Sequence, residues 1–314
     1  MARSAAELSA QVRGLLAFVH TPFRASGDVD LPRFREHLQY LASGFPDKPS
    51  CFFVCCGTGE FWSLSLAEYE GLVRAAAVEV GGEIPVVAGV GYGTKLAMEF
   101  ARAAGEQGAD GLLVFPPYLV GGPQEGLYQH YASIAASTSL GVMVCNRDNA
   151  VFEPETVRRL VEERPNVIGL KDGFGDLQRL ASIRRLVGDQ FLLMNGMPSA
   201  EMFVKTYCQA GIRAYSPGGI EFVPEIAWCF DHALERGDDA EIDRLIDGFY
   251  RPYTELRNQV PGYGVALIKA GLRLRGKPCG GLRPPLVDPT AEHQAQLGAL
   301  IPQGLSLVRG RASG

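Results

Sequence analysis

The chain has no long hydrophobic run; none of its apolar stretches approaches the roughly 20 residues that a membrane-spanning helix needs. It also lacks a basic run, and 30 lysines and arginines against 35 aspartates and glutamates leave a net charge of −5. Mild acidity without a positive patch argues against nucleic acid or an anionic membrane surface as the main partner. The segment "MARSAAELSAQVRGLLAF" has no uninterrupted apolar core, because Gln11 and Arg13 break it. No secretory signal is therefore expected, and a cytoplasmic location is. The seven cysteines, Cys51, Cys55, Cys56, Cys145, Cys208, Cys229 and Cys279, form no CxxC pair and no His–Cys cluster of zinc spacing. Most lie in apolar runs, where a reduced thiol behaves as a small hydrophobe.

What is present is an alternation. Short apolar runs end in Gly, Pro or polar punctuation and are followed by amphipathic segments. The runs are "GLLAFVHTPF" (14–23), "CFFVCCGTGE" (51–60), "IPVVAGVG" (84–91), "GLLVFPPY" (111–118), "LGVMVCNRD" (140–148), "NVIGLKDG" (166–173), "QFLLMNGM" (190–197) and "GIRAYSPGG" (211–219). Eight strands alternating with helices, in a chain longer than about 250 residues, predict a (β/α)8 TIM barrel. An open doubly wound sheet is the alternative, but "GVGYGT" (89–94) fails the GxGxxG spacing and reads as a tight turn. Ser65 and Ser199 are predicted helix N-caps. The alternation stops near residue 225, so residues 1–225 are assigned to the barrel and its active site. Residues 226–314 form a C-terminal helical appendage packed on it, with "GKPCGGLRPPLVDP" (276–289) as a Pro-rich loop.

In such a barrel the chemistry sits where strands end and loops begin. That face is short of carboxylates and has no histidine beyond His20, which argues against a two-carboxylate hydrolase and a His/Asp metal site. Its unusual member is Lys171, directly after the apolar "VIGL". Desolvation there disfavours the ammonium form and frees a nucleophilic amine, which forms a Schiff base with a carbonyl substrate. The alternative is an ordinary ion pair with Asp172, Asp176 or Glu60.

"CGTGE" (56–60), "PPYLVGGPQEGLYQHY" (116–131) and "VIGLKDG" (167–173) together resemble the dihydrodipicolinate synthase / N-acetylneuraminate lyase family of Schiff-base aldolases and dehydratases. The resemblance runs from "AFVHTPF" to at least "YSPGG" and implies that Lys171 is the Schiff-base lysine. It implies that Gly57 and Thr58 hold the carboxylate beside a keto group. Within the family, "FVCCGTGEFWSLSLAEY" and "NRDNAVF" (146–152) resemble the members that dehydrate and decarboxylate a keto sugar diacid. Arg147 is then a candidate for the distal carboxylate, with a rim ion pair to Asp148 as its alternative. Asn195 and Ser216 are candidates for the substrate hydroxyls, with capping of the rim as theirs. Cys145 stands where a tyrosine is expected to move a proton. The three hydroxyls of the family's synthase relay are absent, since Gly57, Leu119 and Cys145 occupy those positions. "SPGGIEF" (216–222) also departs from the expected Ser-Ser-Ala pattern.

The resemblance implies no cofactor, a homo-oligomer (tetramer or dimer), and no nucleic-acid or membrane partner. A 2-keto-3-deoxy sugar acid aldolase and a non-catalytic keto-acid-binding relative are the alternatives.

Overall fold

The computed structural model describes residues 3–43, 47–80 and 82–309. Each of the eight apolar runs contains one strand. They are β1 (Ala17–Phe18), β2 (Phe52–Val54), β3 (Val86–Val90), β4 (Gly111–Val114), β5 (Gly141–Asn146), β6 (Val167–Asp172), β7 (Leu192–Asn195) and β8 (Ala214–Tyr215). All neighbours pair in parallel in the order β1 to β8, and a parallel bridge between Leu15 and Tyr215 closes the ring. The helices α2 (Leu31–Ser43), α3 (Leu66–Glu79), α4 (Thr94–Glu106), α5 (Gln124–Ala136), α6 (Pro154–Glu163), α7 (Leu177–Val187), α8 (Val204–Gln209) and α9 (Pro224–Arg236) follow the strands in turn. A short α1 (Ala5–Gln11) precedes them. No described helix is long and apolar enough to cross a membrane.

The strands are buried on both faces, as a parallel sheet covered by helices requires. Side-chain alternation sorts their residues into two cores. Leu16, Phe18, Phe53, Val87, Leu113, Met143 and Met194 fill the barrel, with Cys51, Cys56 and Cys145 among them and Leu8 of α1 beneath. Ala17, Val54, Val86, Val144 and Leu170 instead meet the helices outside. Ser65 caps α3 as predicted, in a reciprocal capping box with Glu68. Ser199 does not cap: its backbone is left-handed (φ 54°), it precedes a 3-10 turn, and its buried hydroxyl has no partner.

The helix after β8 begins at Pro224, so a division at residue 225 passes through its first turn. Four further α-helices follow, α10 (Asp239–Leu245), α11 (Arg251–Arg257), α12 (Tyr263–Leu274) and α13 (Ala291–Val308), with a π-helical turn (Ile246–Tyr250) joining the first two. Several ion pairs tie this region to the barrel, among them Lys205 with Asp239 and Asp243 and Arg283 with Glu68, and a fully buried one joins α12 to the loop after β2. Lys269 Nζ of α12 lies 2.6 Å from Glu60 Oε1, and neither side chain is exposed at all. Both groups make further contacts: Lys269 donates to the Gly281 carbonyl at 2.7 Å and lies 4.3 Å from the Phe23 ring centroid, and Glu60 Oε2 accepts from the Arg283 N–H at 3.0 Å. Truncating one partner of such a pair leaves the other charged in a dry site, at a cost of about 3–5 kcal/mol. Lys269→Met is therefore expected to lower the unfolding free energy by that amount in denaturant titration, and a loss below 1 kcal/mol would show the pair to be incidental.

Candidate active site

Strand β6 carries Lys171 to the C-terminal mouth of the barrel, where its side chain is half-buried. None of its three candidate ion-pair partners reaches it. The Asp172 carboxylate turns the other way, as alternation along a strand dictates, and accepts from Asn146 Nδ2 at 2.7 Å, the Phe174 and Gly175 N–H groups and the Tyr207 hydroxyl. Asp176 caps α7 and pairs with Arg179. Glu60 is spent on Lys269.

What Lys171 does contact is weak: the Gly196 carbonyl at 3.5 Å and the Phe18 ring, whose centroid lies 5.0 Å from Nζ. Burial pushes its pKa below the ordinary lysine value, Arg147 adds to that, and no neighbouring carboxylate fully restores it. Gly196 makes the room, since a methyl group there would stand 2.7 Å from Nζ. The result is an amine that is available rather than engaged.

A cavity of ≈400 Å³ opens over this amine, and Gly57, Thr58, Cys145, Arg147 and Ser216 line it together with Lys171. The loop bearing Gly57 and Thr58 is rigidly held. Thr21 Oγ1 donates to the Gly59 carbonyl at 2.7 Å, and Cys55 and Glu60 sit on either side of the loop with positive φ (51° and 53°). Cys145 is the register partner of Lys171 on β5. Its thiol is 2% exposed, and burial pushes its pKa up, with the Lys171 ammonium opposing.

Arg147 lies at the rim, where its Nε donates to Asp148 at 2.7 Å, so the expected alternative pair does form. Asn195 is not brought into the cavity. Its amide donates to the Ala200 carbonyl at 3.0 Å and its oxygen accepts from the Met197 N–H, which commits both ends to the loop after β7.

The cavity also has a wall that no local motif announces. Arg257, Val265, Ile268 and Leu286 come from the C-terminal region, and Trp62 comes from the loop after β2. Behind the Ser216–Gly218 segment lies Glu201, buried and accepting from the Gly218 N–H at 2.7 Å. A second polar cluster, His20, His37 and Glu221, is also assembled from distant segments. Its nitrogens lie 2.8 and 3.0 Å from the same carboxylate oxygen. That is hydrogen-bond spacing; ligands about 2.0–2.1 Å from a tetrahedral ion stand roughly 3.3 Å apart. A hollow of similar size (≈390 Å³) at the opposite end, among Arg13, Asp47, Lys48 and Asp231, faces no strand-end lysine.

A closed parallel barrel with an unpaired, desolvated lysine at its C-terminal mouth has the geometry that an amine nucleophile requires. The chain belongs to the dihydrodipicolinate synthetase family, whose model matches residues 11–304. It is 49% identical over 300 residues to a Streptomyces avermitilis protein named probable 5-dehydro-4-deoxyglucarate dehydratase 1, covering 94% of this chain and 95% of that one. A Rhizobium rhizogenes protein named probable 5-dehydro-4-deoxyglucarate dehydratase is 42% identical, covering 92% and 94%. Among solved structures, the DHDPS of Cyanidioschyzon merolae with lysine bound superposes with a TM-score of 0.83 at 27% identity, covering 94% of this chain and 98% of that one. The dihydrodipicolinate synthase of Oceanobacillus iheyensis gives 0.86 at 20% identity, covering 96% and 100%, a likeness of fold.

Glu201 provides a test of the wall's electrostatics. Burial pushes its carboxyl up to about 7, against the stabilising Gly218 N–H. A raised folded-state pKa contributes stability that is complete below the unfolded value, 4.5, and is lost as pH rises through 7. Glu201→Gln keeps the acceptor and removes the titration. The variant's stability relative to wild type is expected to grow between pH 4.5 and pH 8 in denaturant unfolding; a difference that stays flat over this range would show Glu201 to be solvated.

Proposed function

We propose that the protein is a Schiff-base lyase that dehydrates and decarboxylates 5-dehydro-4-deoxyglucarate to 2,5-dioxopentanoate, CO2 and water. The observation that carries this reading is the unpaired Lys171 amine beside the Gly57–Thr58 loop in one cavity. The names of the Streptomyces and Rhizobium relatives support the same substrate. The carboxylate next to the ketone binds at Gly57 and Thr58, through backbone N–H and hydroxyl. Lys171 attacks the ketone, and loss of water gives an iminium that acidifies the adjacent CH2. Proton loss yields an enamine, which expels the β-hydroxyl as water. The conjugated iminium then accepts the electron pair released when the far carboxylate departs as CO2, giving an enamine; protonation at carbon restores an iminium, and its hydrolysis returns the free amine. One electron sink serves both cleavages, so the reaction as written calls on no cofactor. Two arginines, Arg147 and Arg257, border the cavity where a second carboxylate needs a partner.

Cys145 is the group we assign to proton delivery. With its pKa raised, the thiol keeps its proton at neutral pH. That suits it to protonate the leaving hydroxide rather than to deprotonate the CH2. Ser216 lines the cavity and is the remaining hydroxyl partner for the substrate. The enzyme is read as cytoplasmic and as a homo-oligomer of two or four chains. The exposed Tyr118–Leu119–Val120 run beside the active-site face is apolar surface that such assembly would cover.

Lys171→Ala should abolish both turnover and borohydride trapping of a keto acid while the circular dichroism spectrum and melting stay those of the wild type; a variant that retains turnover ends the Schiff-base reading. Pyruvate among the products would turn the assignment to an aldolase. Cys145→Ala should lower kcat by about 10²–10⁴-fold with the adduct yield unchanged. An unaltered kcat would remove the thiol from the proton path.

A further inference from the structure

The proposed substrate is a dianion, and this inference rests on that reading. Of the two arginines at the cavity, the motif-adjacent one is already neutralised. Arg147 gives its Nε to Asp148 at 2.7 Å, with the two side chains 42% and 65% exposed, a rim pair with no net charge. No described carboxylate pairs with Arg257. Its Nη1 donates to the neutral Asn258 Oδ1 at 3.2 Å. The buried Glu201 behind it feels its charge but is pushed towards the neutral acid by desolvation, and its Oε1 is given to Gly218. Arg257 therefore brings to the cavity wall a positive charge that no ion pair among the described residues takes up.

Its placement is specific. Arg257 is the last residue of α11, and its guanidinium lies against the first turn of α12. A methyl group on Gly264 would stand 3.1 Å from Nη2 and 3.4 Å from Nε, so the absence of a side chain there is what lets the fork lie flat. Gly262 and Gly264 line the same wall, so the positive end of α12 adds to the guanidinium's field. Around the fork, Val265, Ile268 and Leu286 supply apolar surface.

We infer that Arg257, and not Arg147, binds the distal carboxylate, so that the C-terminal helical region selects a diacid over a monoacid. The apolar neighbours fit the chemistry. A carboxylate locked in a fully buried ion pair resists becoming CO2, whereas one held by a half-exposed guanidinium against apolar side chains is bound and oriented without that penalty. In the steps up to dehydration the carboxylate keeps its charge, so Arg257 contributes binding that ground state and transition state share, and its loss falls on KM rather than kcat.

The test compares, by calorimetric titration, two keto acids of equal length that lack the β-hydroxyl and so cannot be dehydrated. 2-Oxoadipate carries a second carboxylate; 2-oxohexanoate ends in a methyl group. The wild type should prefer 2-oxoadipate. Arg257→Gln should weaken 2-oxoadipate by about ten- to hundredfold, the scale of one charge-assisted contact, and 2-oxohexanoate by less than twofold. Gly264→Ala, which leaves the arginine in place but pushes its fork away, should move the preference the same way. Arg147→Gln should leave the preference intact. With 5-dehydro-4-deoxyglucarate, Arg257→Gln should raise KM with kcat within about twofold, and Arg257→Lys should recover part of the loss. A diacid preference that survives Arg257→Gln, or that disappears in Arg147→Gln, overturns the inference. Borohydride trapping of both acids at Lys171 is scored separately. Trapping with an unchanged preference in Arg257→Gln sinks this inference alone. Failure of trapping in the wild type sinks the Schiff-base reading, while the calorimetric preference still decides Arg257.

Discussion

The buried ion pair between Glu60 and Lys269 is the constraint on which the rest of the site depends. Two charges at 2.6 Å with no exposure are tolerable because both groups make further contacts: Lys269 with the Gly281 carbonyl and the Phe23 ring, Glu60 with the Arg283 N–H. Replacing such a pair by apolar residues often costs nothing, so its value here lies in what it holds in place. Glu60 ends the Gly57–Thr58 loop, and Lys269 sits in the helix that carries Val265 and Ile268 to the cavity. The pair thereby makes the helices after β8 part of the site rather than an attachment to it. It also removes from Lys171 a carboxylate that would otherwise compete for it.

That removal is one half of why Lys171 has no carboxylate partner; the other half is the pleat of β6. Asp172 is the next residue along, but successive strand residues face opposite ways. Its carboxylate is consumed by four donors on the outer side of the barrel, two of them backbone N–H groups in the turn that follows. A desolvated ammonium without a counterion is unfavourable in the folded state, and such perturbed groups cluster where proteins bind ligands or do chemistry. The strained backbone at Cys55 and Glu60 belongs to the same pattern. Rigid surroundings sustain local cost at the position where binding and chemistry meet.

Much of this was legible locally. Apolar runs punctuated by Gly and Pro located all eight strands, because a strand buried on both faces needs little information beyond its own residues. The capping box at Ser65 and Glu68 was readable for the same reason, its two partners being three residues apart. Ser199 does not cap as expected, and Asn195 takes its alternative of holding the rim. A serine before a helical pattern signals a cap only if its backbone is extended, and here it is left-handed. Asn195 stands at a strand end as a binding residue would, yet the tight turn after β7 takes both ends of its amide.

The sequence by itself determined the alternation of strands and helices, the strand-end position of Lys171 and the loop that faces it, all of which depend on contacts within a few residues. Only the tertiary structure decided which charges neutralise one another. Lys269 reaches Glu60 across 209 residues, His37 reaches Glu221 across 184, and Arg257 comes to the wall of a cavity built by strands far earlier in the chain. Electrostatic pairing acts through space and carries no periodicity along the chain. The choice between a spent arginine and a free one therefore appears only when the barrel has closed and the C-terminal helices have packed against its mouth.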